Sequence, residues 1–185
     1  MTIFENKKLE RDTFRKLRDR TSLKQRENVE KNVRLYIDSL VKGYKNIGYI
    51  GIYWPLKNEI DIRSLKKKFS LALPRCKDNK ELLFYPWDEK PLTKDSQGIL
   101  SPNNSSPLSY SQISLILVPC LSVDKNLTRL GYGGGYFDKL RRDYNWRNVP
   151  CIGVLTSNCV STKPLTRAEW DIPLSGFITE KEMFV

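Results

Sequence analysis

The stretch Ile113-Ser-Leu-Ile-Leu-Val-Pro119 constrains the fold more than any other segment of the chain. A nearly uninterrupted apolar run has no solvent face, so it belongs in the middle of a sheet covered on both sides. Covering both faces takes helices, and the N-terminal third offers two. Phe4, Phe14 and Leu17, and then Val29, Val33, Tyr36, Ile37 and Leu40, recur at helical spacing. Ser22 stands three residues before Gln25, the form of a capping box that opens the second helix, and Gly43 is placed to end it.

Further strand-like runs are Ile47 to Trp54, which ends at Pro55, and then Leu71 to Pro74, Glu81 to Tyr85, Cys151 to Leu155 and Gly176 to Thr179. The segments Ile60 to Phe69 and Tyr136 to Tyr144 read as helices. Lys90 to Tyr110, rich in Ser, Pro and Asn, reads as a loop and the most mobile region. Strands alternating with helices predict a three-layer αβα sandwich with a mostly parallel or mixed central sheet. A length of 185 residues predicts a single domain spanning 1–185.

Histidine is absent from the chain, which excludes Ser-His-Asp and Cys-His machinery and any His-ligated metal. Proton transfer then falls to carboxylates, Lys, Tyr or the substrate, and a metal would be a hard cation held by oxygens. Cys76, Cys120, Cys151 and Cys159 form no Cys-x-x-Cys pair, so they are expected to be reduced and buried. The longest apolar run is too short to span a bilayer, and Met1 to Glu10 lacks the pattern of a secretory signal; a cytoplasmic protein without a membrane partner is expected. The excess of 32 Lys+Arg over 21 Asp+Glu, a net charge of +11, favours an anionic ligand such as a nucleotide, a polyanionic metabolite or nucleic acid.

The segment Arg129-Leu-Gly-Tyr-Gly-Gly-Gly-Tyr-Phe-Asp138 holds four glycines between a strand-like and a helix-like run. Such density costs backbone entropy, and it suits a loop that adopts positive φ or lets a ligand approach the main chain. Consecutive amide groups there would make a phosphate cradle. It is neither a dinucleotide-binding Gly-x-Gly-x-x-Gly fingerprint, since Tyr136 occupies the last position, nor a Walker A loop, since no Gly-Lys-Ser/Thr closes it. Arg129 and Asp138 flank the loop as a cation for phosphate and a carboxylate for magnesium.

This string, preceded by Val118-Pro119 and Val123-Asp124, resembles the signature of the 5-formyltetrahydrofolate cyclo-ligase family. A basic helix with Lys7 and Arg11, the loop Pro55-Leu-Lys-Asn-Glu59-Ile60 and the stretch Trp170-Asp-Ile-Pro-Leu174 agree in order, so the resemblance spans nearly the whole chain. It implies ATP as co-substrate with Mg2+. ATP would be held by Lys7, Arg11, Arg129, Gly131, Tyr132, Gly133, Gly134, Gly135, Tyr136 and Phe137, with Asp138 as metal ligand. By the same resemblance Tyr53, Trp54, Glu59, Tyr136 and Phe137 would contact 5-formyltetrahydrofolate, in free or polyglutamylated form, and Arg129 and Tyr136 would act in catalysis. Lys7 and Arg11, four residues apart, share a helix face. Two departures from the family pattern stand out: Ser175 where some relatives have a second acidic magnesium ligand, and no aromatic residue around Gln97.

The implied reaction is attack of the formyl oxygen on the γ-phosphate of ATP, closure by N10 and loss of phosphate to give 5,10-methenyltetrahydrofolate, by a monomer that binds no nucleic acid. Two other classes stay open at this level. One is a basic nucleic-acid-binding module using Lys66 to Lys68, for which charge is the only support; the other is a folate- or nucleotide-binding regulator without turnover.

Overall fold

Thr2 starts helix α1, Ile3–Asp19, by accepting the Glu5 N–H at 3.3 Å while Glu5 accepts the Thr2 N–H at 2.7 Å. The computed structural model describes residues 2–43, 47–103 and 106–185. Helix α2, Leu23–Gly43, opens on the expected capping box: Ser22 Oγ accepts the Gln25 N–H at 3.2 Å, and Gln25 Oε1 accepts the Ser22 N–H at 3.1 Å. Among the described residues no helix is long and apolar enough to cross a membrane.

The strands follow in the order β1 Tyr49–Gly51, β2 Leu71–Cys76, β3 Leu82–Pro86, β4 Thr93–Lys94, β5 Leu100–Ser101, β6 Ile113–Pro119, β7 Ser122–Asp124 and β8 Arg129–Leu130. Helices α3, Tyr136–Arg142, and α4, Tyr144–Arg147, come next. Four strands complete the chain: β9 Cys151–Val154, β10 Val160–Ser161, β11 Gly176–Ile178 and β12 Met183–Phe184.

The main sheet has the order β12-β11-β9-β6-β1-β2-β3, with β6 at its centre. Neighbours from β11 to β2 are parallel, and the two edges, β12 and β3, are antiparallel. Side chains alternate between two cores, as the pleat requires. Ile116 and Val118 face one with Leu140 of α3, whereas Leu115 and Leu117 face the other with Val29, Val33 and Ile37 of α2. The expected layered α/β architecture with a mostly parallel sheet is what the chain adopts. Gly51 matters here because an added Cβ would lie 2.9 Å from the Phe84 ring.

Three local expectations need correction. The strand drawn from Ile47 to Trp54 covers only Tyr49–Gly51. Ile52 still donates to Ala72 O at 2.9 Å, but Tyr53 and Trp54 have left the sheet. The helix expected from Ile60 to Phe69 is a single 3-10 turn, Arg63–Lys67. Ile60, Ile62 and Leu65 are all buried, and Asp61 caps Arg63 N at 3.0 Å, so anchoring of this short segment overrides its helical pattern. The stretch Lys90 to Tyr110 is tied down over most of its described part. Arg75 donates to Thr93 Oγ1, Ser101 Oγ and Pro102 O at 3.0–3.2 Å beside the β4–β5 ladder. All four cysteines are buried and free, as expected.

Candidate active site

The chain leaves β1 toward β2 on one side of the sheet and reaches β6 on the other, so the strand order reverses between β1 and β6. Ligand crevices in open α/β sheets form at the carboxyl ends of strands at such a switch point. A cleft of about 160 Å³ opens there, lined by Tyr53 and Trp54 beyond β1, Pro119 at the end of β6, and Pro74 on β2.

The glycine segment forms one wall. A small sheet, β10-β7-β8, sets its start. Asp124 is buried and makes this sheet's turn: its Oδ1 accepts the N–H groups of Asn126 and Thr128, both at 2.9 Å, and its Oδ2 accepts that of Leu165 at 2.8 Å. The hairpin delivers Arg129 to the cleft. The guanidinium is pinned by Pro119 O at 3.2 Å and Asp138 Oδ1 at 2.9 Å, and it lies 5.5 Å from the Phe137 ring centre. Burial would push the Asp138 carboxyl up, but the attraction and hydrogen bond of Arg129 outweigh it and hold the group below its usual value.

Positive φ occurs at Gly133 and Gly135 but not at Gly131 or Gly134. Gly134 is constrained instead by Tyr136, whose ring would lie 3.1 Å from an added Cβ, and Gly131 by Arg129, at 2.9 Å. Helix α1 supplies the roof. Lys7 forms an ion pair with Asp171, Arg11 Nε donates to Gly131 O at 3.0 Å, and Arg18 donates to Tyr132 Oη at 3.1 Å.

Glu59 faces this wall across the cleft. Its Oε2 accepts the Leu56 N–H at 2.7 Å, while its Oε1 is buried with no hydrogen-bond partner. Burial pushes its carboxyl up, opposed by the Leu56 N–H, the Tyr132 hydroxyl and Arg18. An unsatisfied buried acceptor on a cleft wall suits a ligand that brings N–H donors. Tyr53 is buried and donates to Ile60 O at 2.8 Å, leaving its ring to the cleft, and Trp54 packs edge-on to Trp87 with centroids 6.0 Å apart.

A model of the 5-formyltetrahydrofolate cyclo-ligase family matches residues 3–180, nearly the whole chain. The chain belongs to that family. The Haemophilus influenzae 5-formyltetrahydrofolate cyclo-ligase is 26% identical over 175 residues, covering 89% of this chain and 92% of the relative. The solution structure of Aquifex aeolicus 5,10-methenyltetrahydrofolate synthetase superposes with a TM-score of 0.79 at 27% identity, over 96% of this chain and 91% of that one. A Mycoplasma pneumoniae 5,10-methenyltetrahydrofolate synthetase shares the fold with a TM-score of 0.72 at 21% identity, over 95% of this chain and 99% of that one.

With this cyclo-ligase fold, every residue that the resemblance assigned to ATP, folate or the metal lines one cleft: Lys7, Arg11, Tyr53, Trp54, Glu59, Arg129, Gly131, Tyr132, Gly133, Gly134, Gly135, Tyr136, Phe137 and Asp138. Sequence reasoning missed Asp171 as a lining residue and Arg18 as a partner of Tyr132. Arg18 could have been found, since it continues the helix face of Lys7 and Arg11. Ser175 lies away from the cleft lining, accepting the Cys151 N–H at 3.0 Å. Leu82 and Ile99 complete an apolar wall that no local pattern marked.

Proposed function

We propose that this chain converts 5-formyltetrahydrofolate to 5,10-methenyltetrahydrofolate at the expense of ATP, yielding ADP and phosphate. The observation that carries the reading is the convergence, in one cleft, of a glycine loop flanked by Lys7, Arg11 and Arg129 with Glu59, Tyr53 and Trp54 opposite. One half is cationic and rich in accessible backbone; the other is aromatic with a lone buried carboxylate oxygen. These are the two chemistries that a triphosphate and a pterin ring demand.

In the reaction the formyl oxygen attacks the γ-phosphorus and ADP leaves. N10 then adds to the activated formyl carbon, phosphate departs and the N10 proton passes to solvent or phosphate. No protein nucleophile is required, which agrees with the absence of histidine. Lys7, Arg11 and Arg129 neutralise the phosphates, and the backbone at Gly133 to Gly135 approaches them. Glu59 Oε1 accepts N–H groups of the pterin and thereby orients the formyl group. Tyr136 and Phe137 separate the two half-sites and exclude water from the activated intermediate. Phosphoryl transfer is accelerated chiefly by positioning the reactants and neutralising charge, and both tasks fall to these side chains.

Among the described residues no group of three or more metal-binding side chains exists. Asp138 and Asp171 both line the cleft, however, each beside a cation. One or two carboxylates with phosphate oxygens and water are the usual protein share of a magnesium site, so the residues fit Mg2+ brought in by the nucleotide. When bound, that ion would neutralise charge on the phosphates.

The reading includes cytoplasmic location, supported by four free, buried cysteines, and one cyclo-ligase-like domain over the whole chain. The direct test mixes the protein with 5-formyltetrahydrofolate, ATP and magnesium and follows the near-ultraviolet absorbance of the methenyl product. Product formation strictly dependent on ATP is expected. Binding of both ligands without product would reduce the protein to a folate-binding regulator.

A further inference from the structure

Behind the two cleft carboxylates lies a buried cation that forms no ion pair among the described residues. Arg141, on α3, is 6% exposed, and its Nε is buried with no hydrogen-bond partner. It takes part in none of the ion pairs among the described residues. Burial pushes its pKa down, with repulsion from Arg129 and Arg147 added, and Cys151 and the Asp138 carboxylate only partly oppose it. A guanidinium in this setting is a cost to stability that apolar packing at the same position would not carry.

What Arg141 does hold is the Ile172 carbonyl, to which its NH1 donates at 2.9 Å. Ile172 directly follows Asp171. Arg141 itself stands three residues after Asp138, on the same side of α3. The guanidinium therefore spans from the helix that carries one cleft carboxylate to the segment that carries the other. The other ties of that segment are local, Ala168 N–H to Asp171 Oδ2 at 2.8 Å and Arg167 Nε to Asp171 O at 3.2 Å, apart from Lys7 and from Leu174, whose N–H donates to Leu127 O at 2.9 Å. None of these hydrogen bonds reaches α3, which also meets the segment where Arg142 stands over the Trp170 ring, 5.7 Å from its centre.

We infer that Arg141 is a positioning residue that sets the separation of Asp138 and Asp171 and so prepares the pair for a magnesium ion arriving with the nucleotide. This rests on the nucleotide site proposed above. Groups behind the residues that face a metal orient them, and their loss typically lowers metal affinity or activity about 10- to 100-fold.

The test compares the native protein with Arg141→Met and Arg141→Leu by calorimetry, using ADP with and without magnesium, and by thermal melting. Both variants should melt at or above the native temperature, because an unpaired buried charge has been removed. Both should bind metal-free ADP as the native protein does. The gain in ADP affinity that magnesium confers should fall by about tenfold. A native gain that both variants keep in full overturns the positioning role. Collapse of both folds also overturns it, since the guanidinium would then serve the core. A native protein with no magnesium-dependent gain sinks the nucleotide reading itself, and this inference with it.

Discussion

Arg129 and Asp138 clasp the glycine loop from its two ends: nine residues apart in sequence, they meet through Arg129 NH2 and Asp138 Oδ1 at 2.9 Å. The pair joins β8 to α3 and pre-assembles both charges that the proposed chemistry uses. Hydrogen bonds to charged groups are worth about 1.5–3 kcal/mol, so Arg129→Met and Asp138→Asn should each raise the KM for ATP by about 10- to 100-fold. A double-mutant cycle in ATP affinity should show strong coupling. Fully additive losses would mean the two residues act independently.

The same pair sets an acid dependence. The Asp138 carboxyl is held below its usual value in the folded state, so its contribution is present above the usual carboxylate range and lost as pH falls through the lowered pKa. In Arg129→Met the main cause of that depression is removed, and burial is opposed only by Lys7 and Arg142. The difference in thermal midpoint between native protein and Arg129→Met should therefore shrink on acidification, as melting across the acid range would reveal.

Glu59 has the opposite sign. Burial raises its carboxyl, so the charged form opposes folding, and the stability associated with the neutral form is lost as pH rises through the raised pKa. Glu59→Gln keeps an acceptor for the Leu56 N–H and removes the charge. It should melt higher than the native protein at pH 7, with the gap closing at acid pH, yet demand more folate while leaving nucleotide affinity unchanged. Loss of ATP binding with folate binding intact would reverse the assignment of the two half-sites.

The glycines separate by cause. Gly133 and Gly135 have φ of 103° and 75°, so Ala at either position should cost about 1–2 kcal/mol from backbone strain. Gly134 carries no such strain, and its Cβ would meet only the Tyr136 ring at 3.1 Å. Gly134→Val is expected to keep the fold, displace Tyr136 and abolish ATP-dependent ring closure. A variant folded by circular dichroism that retains native ATP affinity and turnover would leave the loop as a turn without a phosphate-binding role.

Helix α1 buries none of its residues fully; Phe14 and Leu17 pack partly buried against the core, and polar ties, Arg11 to Gly131 O among them, add to its attachment. Arg11→Ala should lower the thermal midpoint by no more than about 1 kcal/mol's worth, the net value of one hydrogen bond, and raise the KM for ATP several-fold. Salt should weaken the native protein's ATP affinity more than that of the variant, since one phosphate-facing charge has gone. An equal salt dependence would place Arg11 outside the phosphate field.

Both long helices, the central strand and the glycine loop were legible in the chain itself, because each rests on local causes: a 3.6-residue apolar period over α2, a capping box at Ser22, an apolar run at Ile113 to Pro119 and glycine's tolerance of positive φ at Gly133 and Gly135. The candidate site residues were legible too, as motif positions, and all of them line one cleft. Tertiary structure alone decided the rest. Whether Ile60 to Phe69 became a helix depended on where Ile60, Ile62 and Leu65 were buried, not on their spacing. The strand order that opens the cleft between β1 and β6 comes from pairings between segments far apart in sequence. The meeting of Lys7 with Asp171, 164 residues away, and of Arg141 with Ile172 likewise follows from how distant segments pack, which no periodicity within one segment records.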